Sequence, residues 1–89
     1  VNNNLIELEV VLFPNPTAGL IYINLYPYNE SDGPRFELYS ITGQLVSQKE
    51  LIQEKTALNL SELDDGLYFV KLITKKGEIC KKILKSPKR

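Results

Sequence analysis

A chain of 89 residues, 43% hydrophobic and 25% charged, is long enough for one modest core and too apolar to stay disordered; one small domain of this size buries roughly 64% of its unfolded-chain surface. Eleven basic and eleven acidic side chains cancel to a net charge of zero, which excludes a global pull toward nucleic acid or an acidic membrane. With no histidine and one cysteine, Cys80, the chain excludes a Ser-His-Asp triad, imidazole ligation of a metal, a zinc site of thiolates and an internal disulfide.

Apolar residues recur at period two in short segments closed by turn residues, which predicts an all-β fold. Val1 followed by Asn2-Asn3-Asn4 reads as a cut from a longer polypeptide, with residues 1–10 a linker and the start of the first strand. Neither a basic n-region nor a small-residue cleavage site is present, so any export signal is expected upstream. Leu5 to Leu12 forms the first predicted strand, stopped by Pro14, whose fixed φ and missing N–H forbid a central ladder position. The corner "FPNPTAG" then aims a second strand in which Ile21, Ile23 and Leu25 face the core, with Tyr22 and Asn24 opposite. Within the corner, Asn15 accepts turn hydrogen bonds and Gly19 removes bulk before Ile21 packs.

"YPYNESDGP", Tyr26 to Pro34, is a loop by composition. "RFELYS" places Phe36 and Leu38 inward, and "ITGQ" supplies a tight turn, with Gly43 at positive φ, into "LVSQKEL", so strands three and four should pair. Leu58 and Leu60 of "ALNL" share a face; Ser61 is expected to cap a single helical turn, and Asp65-Gly66 to reverse the chain. "LYFVKLIT" reads as a central strand, with Tyr68, Val70 and Leu72 on one face and Leu67, Phe69 and Ile73 making the other partly apolar. "EICKKILK" ends the series, its Lys81-Lys82 pair suggesting an edge protected by charge. About seven short strands point to a two-sheet antiparallel β-sandwich. From Lys71 onward eight basic residues are opposed only by Glu78, so the chain ends basic, with residues 86–89 a basic tail.

Local chemistry adds little. No phosphate-cradling glycine pattern occurs, and no run reaches transmembrane length. Asp64 and Asp65 are expected to be turn formers rather than calcium ligands, because calcium takes six or more oxygens. Cys80 is expected to be a small core residue. Asn29-Glu30-Ser31 and Asn59-Leu60-Ser61 match the glycosylation sequon and are read as coincidence. Tyr22, Tyr26, Tyr28 and Tyr39 invite comparison with a sugar-stacking platform, but outward tyrosines follow from β-propensity alone. No catalytic, metal or cofactor residue is assigned, and no enzymatic activity is expected of this domain.

Three motifs in order, "FPNPTAG", "ELYSITGQLV" and "LNLSELDDGLYFVKL", finishing in "GEICKKILK", resemble the C-terminal sorting domain of the type IX secretion system of Bacteroidetes, the type A Por secretion tail family. Pro14, Asn15, Pro16 and Gly19 match its opening; Gly43 and Val46 its hairpin; Leu63, Gly66, Tyr68 and Val70 its central strand; Lys82, Ile83 and Leu84 its lysine-plus-aliphatic ending. Phe13 stands where the family often has Tyr, and "SPKR" runs past the usual end. The resemblance implies an immunoglobulin-like sandwich over residues 11–85. It also implies a larger cargo carried through the periplasm and across the outer membrane, to be secreted or held at the cell surface, commonly with the domain cleaved off. The implied partners are an outer-membrane translocon and a sortase-like peptidase, with no cofactor, no nucleic acid, no membrane insertion and a monomeric state. An edge strand offers unpaired backbone groups, so the machinery is expected to read Glu78 to Lys85 by strand addition, with Lys81, Lys82, Ile83, Leu84 and Lys85 as the recognised residues. The rival reading is an extracellular Ig-like binding or adhesion module for polysaccharide or protein.

Overall fold

The computed structural model describes residues 8–87. Seven strands follow one another: β1 (Glu9–Phe13), β2 (Leu20–Tyr26), β3 (Arg35–Ser40), β4 (Leu45–Glu50), β5 (Lys55–Asn59), β6 (Gly66–Thr74) and β7 (Gly77–Lys85). They form a three-stranded sheet in the order β1-β2-β5 and a four-stranded sheet in the order β4-β3-β6-β7, every strand pairing being antiparallel. The expected all-β, immunoglobulin-like sandwich is what the chain builds. β3 and β4 pair directly, β6 lies between β3 and β7, and β7 is an edge. The first strand is the least complete match, since it runs through Phe13 and residues 5–7 lie outside the described part.

Period-two patterning sets which residues enter the core. Ile21, Ile23 and Leu25 of β2 meet Phe36 and Leu38 of β3, Val70 and Leu72 of β6 and Ile83 of β7, all essentially without solvent exposure. Burial of each such side chain contributes roughly 1.5–3 kcal/mol, so these eight dominate the favourable side of folding. Gly43 adopts φ +90 in the β3–β4 turn, as the tight hairpin requires. Past that turn, Val46 is passed over where the register shifts between Leu38 and Tyr39, and it packs half-buried on the core.

Two local expectations are corrected. Ser61 caps no helix: residues 61–63 form a turn, and Asn59 does the capping, its Oδ1 accepting from the Ser61 N–H at 3.0 Å and the Ser61 hydroxyl at 2.7 Å. The one helical turn among the described residues is a 3-10 turn, Glu30–Asp32, inside the loop, where Asn29 Oδ1 accepts from the Ser31 N–H at 3.1 Å and hydroxyl at 2.8 Å. Both Asn-x-Ser sequences are therefore the same turn-forming device. Cys80 is exposed, not core. Ile83 is anchored inward, so strand alternation turns Cys80 to the outer face of the sheet.

Candidate functional site at the end of the last strand

The corner "PNPTAG" follows β1, and the peptide bonds before Pro14 and Pro16 are both cis. It folds against the second sheet. Asn15 Nδ2 donates to the Lys82 carbonyl at 2.8 Å, and its Oδ1 accepts from the Leu84 N–H at 3.0 Å. Two residues on, the Thr17 N–H donates to the Leu84 carbonyl and the Thr17 carbonyl accepts from the Ser86 N–H, both at 2.9 Å. Thr17 thus forms a one-residue parallel bridge to Lys85, and the corner stands in for a strand along the end of β7. Its own side chain fixes the turn: buried to 2% exposure, Thr17 Oγ1 donates to the Leu20 carbonyl and accepts from the Gly19 N–H. Gly19 is needed for close approach, because a Cβ there would lie 3.1 Å from Ser61 Cβ.

The other side of β7 meets the third motif. Gly66 pairs with Lys85 and Tyr68 with Ile83, while the Tyr68 hydroxyl donates to the Asp64 carbonyl at 2.6 Å. Lys85, 7% exposed, reaches Asp65 with Nζ 2.9 Å from Oδ1. Leu63 packs half-buried against the core, and the Gly43 turn joins this end because Ser40 pairs with Tyr68. Residues of the first and third motifs, Asn15, Gly66 and Tyr68, thereby meet at the end of β7, while Gly43 and Val46 lie in the β3–β4 hairpin across β6 from it.

The residues expected to be read by a partner divide sharply. Lys81 and Lys82 are exposed and Leu84 is 42% exposed, whereas Ile83 is fully buried and Lys85 is held by Asp65. On the folded domain, contact is open to the first three only. Among the residues sequence reasoning passed over, Thr17 carries a recognisable signal: a hydroxyl followed by a glycine two positions on, a local side-chain turn. The Asp65–Lys85 pair spans twenty residues and has no local signal.

The family described as "Secretion system C-terminal sorting domain" matches residues 11–86. The chain belongs to this family, that of the type IX (Por) secretion tails. No curated protein matches it. The chain is thus a C-terminal sorting signal of a secretion system found in Bacteroidetes, and the rival binding module is not favoured. Phe13 and Tyr22 lie side by side with centroids 5.5 Å apart, and Lys55 Nζ sits over both rings at 5.6 and 5.0 Å. Tyr28 is spent on the Leu51 carbonyl and the core. Tyr39, on the other sheet, donates to Glu37 and lies beneath Lys71. Among the described residues no cluster of three or more metal-binding side chains occurs.

Charge on the outer face of the four-stranded sheet is internally arranged. The Tyr39 hydroxyl bonded to Glu37, with Arg35 3.3 Å away, holds the Glu37 carboxyl below its usual range, and the same bond pushes the Tyr39 phenol up. Lys71 stands 3.9 Å from Glu78. Lys81 and Lys82 join no ion pair among the described residues.

Proposed function

We propose that this sorting domain is handed, already folded, from the periplasm to an outer-membrane translocon and then to a sortase-like peptidase that removes it from its cargo. The cargo is thereby released from the cell or left on its surface. The domain catalyses nothing in this sequence of events and acts as a monomer. The recognised element is the basic last strand, through Lys81, Lys82 and Leu84 on the surface, while Ile83 and Lys85 hold that strand in shape. One observation carries this reading: residues of the first and third motifs, Asn15, Gly66 and Tyr68, are bonded to or paired with the end of β7, so these motifs build and fix the strand rather than forming separate contact surfaces.

The test is export of a periplasmic reporter fused ahead of the domain in a host with the type IX system. Reporter in the medium or on the surface is expected with the intact domain. Retention in the periplasm is expected after removal of Ile79 to Arg89. Unchanged export without that segment would show that the last strand is not what is read.

A further inference from the structure

We infer that the secretion machinery adds an extended segment to β7 only along Glu78 to Lys82, with the Asn15–Thr17 corner as a built-in stop; this rests on the sorting reading above. In an antiparallel ladder alternate residues turn their backbone groups toward the neighbouring strand. The bonds from Lys82, Leu84 and Ser86 to the corner identify the set that faces away from β6. By the same alternation Glu78 and Cys80 face outward too, together with the Lys82 N–H, and among the described residues none of these groups has a backbone partner. The edge is therefore open at one end and sealed at the other. A strand arriving from solvent has donors and acceptors from Glu78 to the Lys82 N–H and meets Asn15 beyond that.

Surroundings specify the occupant. Beside the open stretch runs a groove of about 540 Å³ between β1 and β7, lined by Leu8, Val10, Val11 and Ile79 together with Glu9 and Lys81. On the opposite, outer face of β7, Lys82 is exposed with no ion pair among the described residues, while Glu78 is already faced by Lys71. The groove lining carries one acid, Glu9, and one base, Lys81, whereas Lys82 adds an exposed positive charge on the outer face with no ion-pair partner among the described residues. The complementary segment alternates, with apolar side chains toward the groove and acidic ones toward Lys82. Its register is set by the corner, which prevents sliding toward Lys85.

Two variants and one measurement test this in the reporter fusion. Cys80→Pro removes an outward N–H and no bond to β6, a position where an edge strand accepts proline, so the domain should stay folded while strand addition is blocked. The pair Lys81→Glu and Lys82→Glu reverses the charge; Lys49→Glu with Lys75→Glu is the control of equal charge change. Both β7 variants, with melting temperatures near that of the parent, should lower export about tenfold or more, and the control should not. Export at the parental level from folded β7 variants, or an equal loss in the control, would overturn the proposal. If Cys80→Pro unfolds, the lysine pair decides. In the intact domain, hydrogen exchange at Cys80 and Lys82 should be fast and at Leu84 and Ser86 slow; equal protection would also overturn it. Export that survives removal of the whole domain would instead refute the sorting reading itself.

Discussion

The two ends of the sandwich use the same local device to different effect. At one end Asn29 turns the chain into Glu30–Asp32, a segment with no buried residue, tied back by the Lys75 N–H on the Asp32 carbonyl and by Lys76 near Asp32 at 3.6 Å. At the other end Asn59 makes the same turn, but Leu60 is buried and its N–H donates to the Gly19 carbonyl at 2.7 Å, with Ser61 pressed against Gly19. An identical Asn-x-Ser turn is peripheral in one place and part of the packing in the other. What gives a local motif its weight is what the rest of the chain lays against it.

That contrast has measurable consequences. The largest lies at the packed end: Ile83→Ala should cost about 2–5 kcal/mol in urea unfolding, since it empties a fully buried site on an edge strand that little else can collapse into. A loss below 1 kcal/mol would mean that the end of β7 contributes little to the core. Next, Asn15→Ala removes both side-chain bonds to β7 and should cost about 1–3 kcal/mol. The same variant should speed exchange of the Leu84 amide more than that of the inward-facing Ile83 amide. If the two amides respond alike, the corner supports the whole fold and not this edge in particular.

The paired turns offer the most direct comparison. Asn59→Ala is expected to cost about 1–2 kcal/mol and Asn29→Ala about 0.5 kcal/mol, the upper and lower parts of the range for a lost cap. Equal values from thermal unfolding would erase the distinction between the ends. The smallest effect concerns the exposed sheet face. The folded state lowers the Glu37 pKa, chiefly through the Tyr39 hydroxyl, so Glu37 contributes stability above its ordinary range that is lost as pH falls through its lowered folded value. Tyr39→Phe should therefore move the Glu37 titration seen by NMR upward and shrink that acid-side loss. A titration unmoved by the substitution would assign the shift to Arg35 instead.

Much of the architecture was legible along the chain. Ile21, Ile23 and Leu25 could only share a face, Pro14 could only end a strand, and Gly43 stood where a hairpin needed positive φ. The site was legible in part. The basic strand and the motif residues were evident, but their union was not, because Asn15 and Leu84 are 69 positions apart and no periodicity links them. Cys80 illustrates the limit of short-range reading: with apolar residues nearby it looked inward, and only the anchoring of Ile83 determined that it faces out.

The sequence by itself determined the strands, the inward faces of those that patterned cleanly, and membership in a family of sorting signals, because alternation, turn chemistry and motif order are properties of neighbouring residues. Tertiary structure decided which part of the last strand is open. Ile83 packs into the core, Asp65 holds Lys85, and Asn15 and Thr17 cover the Leu84 backbone, so that only the outward backbone groups from Glu78 to the Lys82 N–H stay open. Edge exposure is a fact about backbone hydrogen bonds between distant segments, and those form only when the sheets come together.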